Sequence, residues 1–485
     1  MDCKAVPGVN AFRRTKIVAT LGPASCEPAI LRQLVDTGVN VFRINMSHAT
    51  RDQFRDWTRL IRTTERQCGA IVSVLADLQG PKLRVGELEG HKPIHLVSGA
   101  PFEITTAHVV GNAQRVATTY AALPNDVKAG DRILLDDGKI ELRVASSGAS
   151  VVATTVVNGG ELGEHKGMNL PGVHVSSPSL TEKDRDDLAL AVREGADFIA
   201  LSFVRSAADV RDAKDAVQAA GADTPVVAKI EKPEAVDALE EILDVADAVM
   251  VARGDLGVEM APERVPTLQK QIIQRARVHL KPVITATQML ESMIHSPRPT
   301  RAEASDVANA IIDGTDAIML SGETAAGEYP IESVATMVRI SFEVERSFPP
   351  TRDRRRTSVT SDSQAISQAA ISITESIDVQ AIAAFTRTGF SARIVSKDRP
   401  SVPVYAFVPN ETIAHRLMLD WAVQPRVLDF GKTTDELIAV VEEELLALEV
   451  VVKGQAVVLV GGTPLGVAGR TNLLKILRPG EETGM

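Results

Sequence analysis

The hydrophobic residues of the chain fall into short runs separated by stretches of helix length. Eight runs rich in Val and Ile are predicted to be strands, at 16–22, 40–47, 70–78, 196–204, 225–231, 246–254, 282–288 and 316–323. Because the intervening stretches are amphipathic, the pattern predicts βα units and an α/β fold. Eight parallel strands with helices between them favour a (β/α)₈ TIM barrel, and continuous apolar runs such as AVMVA suit strands covered on both faces. An open doubly wound sheet is the alternative.

The pattern changes between residues 85 and 176. Thr- and Val-rich segments such as VVATTVV alternate there with turn signals at 137–138, 158–160 and 171–172. This indicates a small β domain inserted after the third barrel strand, where it is placed to act as a lid over the C-terminal face. The predicted barrel domain is therefore discontinuous and comprises residues 1–84 and 177–348.

Two further segments follow the barrel. Residues 349–361 are polar and lack apolar periodicity, which is typical of a linker. Apolar runs and helical segments alternate again over 362–485 and predict a separate α/β domain. Three domains agree with a length of 485 residues.

Composition and charge exclude several classes of function. The formal net charge of -10 and an aromatic content of 4% argue against a nucleic-acid binder, although a local basic pocket for a small anion is compatible with them. No apolar run reaches membrane-spanning length, and no export signal precedes the first strand, so we expect a cytoplasmic protein without a membrane partner. Cys3, Cys26 and Cys68 fit neither a disulfide framework nor a paired metal motif.

Polar residues at the C-terminal ends of barrel strands deserve most weight, because such barrels build their active sites there. Lys229 and Glu231 are two apart on the fifth predicted strand and point to the same side. They are either a structural ion pair, or a cation that stabilises developing negative charge beside a metal-binding carboxylate. Asp255, at the end of the sixth strand, adds a second carboxylate. Two carboxylates with water and substrate oxygens suit Mg²⁺ or Mn²⁺.

Three other residues at the same rim have both a functional and a plain structural interpretation. Arg43 is a forked donor for a phosphoryl group, or part of a rim salt bridge. Gly254 lets an anion approach backbone N–H groups closely, or only forms a turn. Thr287 is placed to position or relay a proton, or is simply a β-former. Their joint placement favours the functional interpretation.

Nine stretches of the chain resemble the pyruvate kinase family, and together they run nearly from end to end. The most specific are AKIEKPEAV (228–236), MVARGDLGVE (250–259) and TATQMLESMI (285–294). The others are TKIVATLGPAS (15–25), VFRINMSHA (41–49), ADLQGPKLR (76–84), KGMNLPG (166–172), PTRAEASDVANAIIDGTDAIMLSGETAAGEYP (299–330) and VGGTPLGVAGRTN (460–472).

The resemblance implies a (β/α)₈ barrel with an inserted small β-barrel lid and a C-terminal α/β regulatory domain, assembled as a homotetramer. It implies transfer of the phosphoryl group of phosphoenolpyruvate to ADP, which gives pyruvate and ATP in the final step of glycolysis. By resemblance, Glu231 and Asp255 hold the divalent ion, and Lys229 stabilises the enolate and the transferring phosphoryl group.

The remaining site residues are assigned on the same basis. Arg43 contacts the phosphoryl group, Gly254 and its neighbour's amide take the substrate carboxylate, and Thr287 lies on the face from which the enolate is protonated. The residues of the nucleotide side are Asn45, Ser47, His48, Arg84 and Lys166.

The segment after the third strand departs from the pattern of many family members, which read Asp-Thr-Lys-Gly-Pro-Glu and bind K⁺ there. This chain has Asp77 and Leu78 at the start of the segment and Lys82 in the place of the glutamate. A lysine at this position resembles the K⁺-independent branch, in which its ammonium group supplies the positive charge. Asn45, Ser47, Asp77 and the Leu78 carbonyl remain as a vestigial or optional monovalent site. We therefore expect activity without K⁺.

A candidate effector loop lies in the C-terminal domain. Its polar or small residues are Thr386, Arg387, Thr388, Gly389 and Ser391, and it follows a predicted strand and opens a helix. Such a turn offers backbone donors and hydroxyls to a phosphate. It resembles the family's effector-phosphate loop, with Phe390 in a place often held by a basic residue, and predicts a phosphorylated sugar or nucleotide effector. A plain strand-to-helix turn is the alternative.

Two other functions are compatible with parts of the pattern. A Mg²⁺-dependent barrel lyase or aldolase acting on pyruvate-like substrates shares the barrel and the carboxylates, but it has no need of Lys166 or Arg84. A non-catalytic metabolite sensor would retain the fold and lose Lys229, Glu231 or Asp255, all of which are present.

Overall fold

The computed structural model describes residues 12–349, 361–431, 433–464 and 469–480, and its first strands alternate with helices. These elements are β1 (Lys16–Thr20), α1 (Pro28–Thr37), β2 (Val41–Asn45), α2 (Arg51–Cys68) and β3 (Ser73–Asp77). Helix α2 begins where Thr50 and Gln53 cap each other's backbone N–H groups. Nearly every residue of the three strands is buried, which explains their continuous apolar sequences.

The inserted domain follows β3. Its elements are β4 (Ile94–Leu96), β5 (Pro101–Thr105), β6 (Arg115–Ala117), α3 (Leu123–Asp126), β7 (Arg132–Leu135), β8 (Ile140–Ser147), β9 (Val151–Asn158), β10 (Gly160–Leu162) and β11 (Met168–Asn169). Six strands form one sheet in the order β11-β7-β8-β9-β5-β6, and β10 pairs with β4. Isolated bridges join Arg84 to Gly167 beside β11, and Val85 to Thr118 beside β6. The entering segment thus links both edges of the sheet and curls it into a small barrel around its own core.

The chain then returns to the large barrel. The elements of this part are α4 (Glu182–Arg193), β12 (Phe198–Leu201), α5 (Ala207–Ala219), β13 (Val226–Ile230), α6 (Pro233–Asp237), α7 (Leu239–Val245), β14 (Ala248–Ala252), α8 (Arg253–Glu259), α9 (Val265–Val278), β15 (Val283–Ala286), α10 (Arg301–Ile312), β16 (Ala317–Leu320), α11 (Gly322–Ala325) and α12 (Pro330–Ser347). Arg205, which follows β12, donates to the carbonyls of Val175 and Ser177. It thereby fastens the returning segment of the inserted domain to the barrel.

The eight parallel strands form a closed barrel in the order β1-β16-β15-β14-β13-β12-β3-β2. Because β1 pairs with both β16 and β2, the open doubly wound sheet is excluded. All eight predicted strands are present, but each is shorter than predicted. The predicted range 282–288, for example, contains β15 and then a turn in which Thr287 and Gln288 have left-handed backbones. The predicted ranges had included the first residues of the rim loops.

The C-terminal domain is a five-stranded sheet with helices on both faces. Its elements are α13 (Asp362–Ser376), β17 (Val379–Phe385), α14 (Phe390–Lys397), β18 (Val404–Val408), α15 (Glu411–Arg416), β19 (Val423–Val427), α16 (Thr434–Ala447), β20 (Ala456–Gly461) and β21 (Leu473–Leu477). The order is β19-β18-β17-β20-β21, and only β21 runs antiparallel to its neighbour. An apolar cluster covers each face of the sheet.

This domain covers the end of the barrel at which the strands begin. Met418 and Leu419 belong to the same buried cluster as the residues that fill the barrel interior. Lys16, the first residue of β1, donates to the Val423 carbonyl at 2.5 Å. Ser73, the first residue of β3, donates to the carbonyl of His415 at 2.6 Å. The opposite end of the barrel therefore remains open to the inserted domain.

Residues 350–360, nearly all of the predicted linker, and Cys3 lie outside the described residues. We keep 1–84 with 177–348, 85–176 and 362–485 as the proposed domain bounds. In the ranges that the structure describes, no helix has the length and apolar character needed to span a membrane.

His415 of α15 connects the C-terminal domain to the barrel through two carboxylates. Its Nε2 lies 2.6 Å from Glu65 Oε1, and its Nδ1 lies 3.3 Å from Asp197 Oδ1. Burial disfavours the imidazolium ion and Arg62 opposes it, but the hydrogen bonds and charges of Asp197 and Glu65 prevail. Together they raise the pKa of His415 from 6.5 to about 9.

This elevation predicts a pH-dependent contribution to stability. Because the pKa of His415 is higher in the folded state, its ionised ring stabilises the folded protein fully below pH 6.5. This contribution is lost as pH rises through about 9. The free energy of unfolding of the parent protein minus that of His415→Gln should therefore decrease between pH 6.5 and 9.5 (the upper bound lying roughly half a unit above that pKa). Denaturant unfolding across this range measures it. Other titrating groups are common to both proteins, so a constant difference would contradict the assignment.

Candidate active site at the C-terminal rim of the barrel

Asp77, at the end of β3, lies between two cationic side chains. Arg43 of β2 donates to Asp77 Oδ2 from Nε at 2.7 Å, with its Nη2 also at 2.7 Å, and from Nη1 to Thr20 Oγ1 at 3.0 Å. Lys229 of β13 places its Nζ 3.2 Å from the other carboxylate oxygen of Asp77. One buried carboxylate thus orients both predicted phosphoryl-binding cations.

Lys229 also contacts two other groups. Its Nζ lies 2.9 Å from Glu231 Oε1 and donates to Ser202 Oγ at 2.7 Å. Glu231 Oε2 accepts from the backbone N–H of Phe203 at 2.9 Å. The prediction that Lys229 and Glu231 point to the same side of the strand is therefore confirmed.

The charges of this cluster support one another despite burial. Burial opposes the ionised form of Asp77, but Lys229 and Arg43 hold the pKa of this carboxyl below its usual range. Burial likewise disfavours the ammonium of Lys229, and Asp77 and Glu231 outweigh it and raise its pKa. For Glu231, burial prevails, with a further contribution from Asp255, and raises the pKa in spite of Lys229. Lys229 is therefore a full cation beside a carboxylate that a further positive charge would stabilise.

Gly254 and Thr287 meet just beyond the C-terminal ends of the neighbouring strands β14 and β15. The Gly254 N–H donates to Thr287 Oγ1 at 2.7 Å, and this hydroxyl donates to the Ala286 carbonyl at 2.7 Å. A Cβ on residue 254 would lie 3.3 Å from Thr287 Oγ1, so glycine permits the close approach. Thr287 has φ 68°, an outlier for a β-branched residue that costs about 1–3 kcal/mol and persists only where the surroundings impose it.

A cleft between the lid and the barrel adjoins these groups. Residues of the lid side, among them Asp137 and Asn169, face residues of the barrel side, among them Asp255. Asp255 is exposed in the first turn of α8. Asn169 donates to Glu259 of α8 at 2.8 Å, which joins lid to barrel beside the cleft. A substrate at the rim would thus be covered by the lid.

Lys82 lines the same cleft. Part of its side chain is exposed. The pKa of Lys82 is nevertheless lowered, mainly by desolvation and then by the charge of Arg84, although the charges of Asp255 and Asp137 act to raise it. The pKa of His48 is lowered by desolvation and then by Lys82, Arg84 and Arg43. These mutual effects show that four basic side chains, those of Arg43, His48, Lys82 and Arg84, lie within electrostatic range of one another.

Two predicted nucleotide residues contact the lid itself. Lys166 places its Nζ 2.9 Å from Asp136, and Arg84 donates to the His165 carbonyl at 2.8 Å. The hydrogen bond from Lys166 outweighs the desolvation of Asp136 and holds the pKa of this carboxyl below its usual range. The structure therefore ties these two cations to the lid rather than to the Lys229 cluster.

Three of the four residues of the predicted monovalent site, Asn45, Asp77 and Leu78, already direct an oxygen to a protein partner. Asn45 Oδ1 accepts from the Ser47 N–H at 3.0 Å, and the Leu78 carbonyl accepts from Ser202 Oγ at 2.8 Å. Asp77 is engaged by Arg43 and Lys229. The site residues are therefore held by direct protein contacts.

The donor set fits a hard divalent cation that keeps water and substrate ligands. Glu231 and Asp255 provide carboxylate oxygens, and burial of Glu231 makes a nearby positive charge favourable. Among the described residues, no group of three or more His, Cys, Asp or Glu side chains forms a complete metal site. Two protein carboxylates with outer ligands from water and substrate match the habit of Mg²⁺.

Three functional contacts were missed from the sequence. Thr20 ends β1 and accepts from Arg43, Ser202 follows β12 and accepts from Lys229, and the Phe203 N–H binds Glu231. The first two follow the rule applied to the other strands, because each is a polar residue at a strand's C-terminal end. The backbone N–H of Phe203 carries no signal in the sequence.

The candidate effector loop lies in the C-terminal domain, between β17 and α14. Arg387 and Thr388 are exposed, Gly389 has φ 86°, and Ser391 is buried with its hydroxyl 2.8 Å from Thr471 Oγ1. The predicted strand-to-helix turn is present, with two exposed polar side chains at its tip.

The fold and site together define a class: a closed (β/α)₈ barrel with buried cations and carboxylates at its rim, beneath a β lid. The family models for "Pyruvate kinase, barrel domain" and "Pyruvate kinase, alpha/beta domain" match residues 12–334 and 364–477. The pyruvate kinase of Mycobacterium tuberculosis is 45% identical, covering 97% of this chain and 99% of its own length. That of Corynebacterium glutamicum is 44% identical, covering 97% and 98%.

A solved structure agrees with these relatives. The crystal structure of a pyruvate kinase from Cryptosporidium parvum matches with a TM-score of 0.91 at 35% identity and covers 96% of each chain. The chain belongs to the pyruvate kinase family.

Proposed function

We propose that this protein transfers the phosphoryl group of phosphoenolpyruvate to ADP and forms pyruvate and ATP. The observation that carries the proposal is the position of Lys229, whose ammonium group is shared by Asp77 and Glu231 next to the cleft. A fixed cation at this point neutralises charge on a transferring phosphoryl group and on the enolate that remains. Family membership adds phosphoenolpyruvate and ADP or ATP as substrates, and a requirement for a divalent metal.

Phosphoryl transfer needs positioning and charge neutralisation more than covalent chemistry. Arg43 and Lys229 are held by one carboxylate, so both can face the phosphoryl group without reorganising. Asn45, Ser47, His48, Arg84 and Lys166 form the nucleotide side. Closure of the lid brings Arg84 and Lys166 over the cleft and excludes water from the transfer.

The second half of the reaction converts the enolate to pyruvate by adding a proton to its methylene carbon. The substrate carboxylate is placed at the Gly254 N–H, which the Thr287 hydroxyl occupies in this structure. Thr287 then lies beside the enolate and positions or relays the proton. Lys229 stabilises the enolate oxygen until the proton arrives.

Glu231 and Asp255 would hold the divalent ion, Mg²⁺ or Mn²⁺. When bound, it supplies neutralisation of the phosphoryl and enolate oxygens as a Lewis acid. The lyase and aldolase alternatives are not favoured, because the family and the basic side chains near the cleft both point to a nucleotide substrate.

We also propose that the enzyme does not require K⁺. Lys82 lies in the cleft, within electrostatic range of Asp255 and Lys229, and supplies a positive charge there. The ammonium group of Lys82 would thus take the place of a bound K⁺ ion.

We further propose allosteric control by a phosphorylated sugar or nucleotide at Thr386, Arg387, Thr388, Gly389 and Ser391, in a cytoplasmic homotetramer. The turn at the N-terminus of α14 supports this site. Phosphoenolpyruvate saturation curves with a panel of sugar phosphates and nucleotides test it, and curves that none of them shifts would count against it.

Pyruvate formation should depend on ADP and on Lys229. In a coupled assay, the parent protein should form pyruvate only when ADP is present. Lys229→Met should lower kcat by about 100-fold to 1000-fold, because it removes a preorganised charge from the transition state. Asp186→Asn, an exposed change on α4, is the matched control and should retain activity. ADP-independent pyruvate formation, or full turnover by Lys229→Met, would refute the proposal.

Replacing K⁺ by tetramethylammonium should leave the rate of the parent enzyme within about twofold, because Lys82 already supplies the charge. Lys82→Glu removes this cation and adds an anion, so its activity should become dependent on K⁺. Initial rates at constant ionic strength measure both. The proposal fails if the parent enzyme loses most of its rate in tetramethylammonium.

A further inference from the structure

Arg253 begins α8, directly before Gly254, and its guanidinium reaches across to the end of β15. Nε donates to the Ala286 carbonyl at 3.2 Å, and Nη2 donates to the Thr287 carbonyl at 2.7 Å. Nη2 also lies 2.7 Å from Met289 Sδ. Contacts to three residues, Ala286, Thr287 and Met289, therefore hold the turn that carries the Thr287 hydroxyl.

The other side of the guanidinium is anchored to the helix layer. Nη1 lies 2.6 Å from Asp306 Oδ1 of α10 and 3.3 Å from Gln269 Oε1 of α9. All five N–H donors of an arginine can be used by these contacts. Only 11% of the side chain of Arg253 is exposed, so its guanidinium group holds neighbouring protein groups in place rather than binding substrate.

The turn held by Arg253 has an unusual backbone conformation. Thr287 and Gln288 both have left-handed backbones, with φ 68° and 54°, and neither is a glycine. The conformation aims the Thr287 hydroxyl at the Gly254 N–H. A β-branched residue keeps such a backbone only when its surroundings impose it, and the two carbonyls bound by Arg253 flank the strained residue.

We propose that Arg253 is a positioning residue for enolate protonation. By holding the Ala286 and Thr287 carbonyls, it keeps the Thr287 hydroxyl on the protonation face. In this step a proton from solvent, positioned or relayed by the Thr287 hydroxyl, adds to the methylene carbon while the enolate oxygen becomes the ketone oxygen of pyruvate. The reverse step breaks a methyl C–H bond and returns the proton to solvent. The inference rests on the proposed function, because it assigns Arg253 to one half of that reaction.

A positioning role separates the two halves of the reaction, whereas a merely structural role does not. Arg253 contacts neither Arg43 nor Lys229, so phosphoryl transfer should proceed without it. Loss of the Arg253 guanidinium should free the turn and displace the Thr287 hydroxyl. A displacement of about 1 Å at a reacting group can lower the rate roughly 100-fold.

The test compares Arg253→Met and Arg253→Lys with the parent enzyme in two assays. Exchange of pyruvate methyl protons for deuterium in D₂O, in the presence of ATP and Mg²⁺, measures the protonation half. ATP formed in a rapid-quench single turnover from phosphoenolpyruvate and ADP measures the transfer half. Arg62→Met is the matched control, because Arg62 is also a part-buried, multiply bonded arginine, located near the other end of the barrel.

Arg253→Met should lower methyl exchange by about 100-fold and leave the transfer rate within about threefold. Arg253→Lys should recover part of the exchange, since an ammonium can still bind one of the two carbonyls. Arg62→Met should leave the ratio of the two rates unchanged. Equal loss in both assays, or unchanged exchange in Arg253→Met, overturns the positioning role. If the parent enzyme itself neither transfers nor exchanges, the proposed function fails instead.

Discussion

The rim of the barrel depends on one buried carboxylate, Asp77, which faces both Arg43 and Lys229. Two cations held near each other and away from water repel, and each is costly without a counter-ion. Asp77 removes this cost and fixes their directions, while Glu231 shares the charge of Lys229. The protein thus holds two positive charges in fixed positions at the rim, and in the proposed function they face phosphate and enolate oxygens with little reorganisation.

The remainder of the architecture leaves this rim accessible. The C-terminal domain inserts Met418 and Leu419 at the end where the strands begin, so that end is closed by apolar packing. The inserted domain stands at the other end and meets α8 through Asn169 and Glu259. The open rim and the C-terminal domain, which carries the proposed effector loop, are thereby at opposite ends of the barrel.

The sequence allowed prediction of the eight strands and of the Lys229 and Glu231 pair, because continuous apolar runs and a spacing of two are local signals. It could not show Asp77 as a shared counter-ion, since Lys229 approaches it from β13, which is distant along the chain, while Arg43 approaches it from β2. The left-handed backbone of Thr287 could not be predicted for another reason: threonine is a β-former, and the groups that hold this turn, Arg253 and Gly254, belong to α8 after the neighbouring strand. Docking of the C-terminal domain likewise depends on tertiary packing.

The most direct test of this account is the stability of Asp77→Asn, measured by denaturant unfolding. Removing the shared counter-ion should cost about 3–5 kcal/mol, because it leaves buried Arg43 without a carboxylate partner and Lys229 with Glu231 alone. The exposed Asp255→Asn should change stability by only about 0.5 kcal/mol. Adding Lys229→Met to Asp77→Asn should recover part of the loss, since one of the two cations that repel each other beside residue 77 is then gone. Equal stability of Asp77→Asn and the parent protein, with no coupling to Lys229, would contradict the central claim.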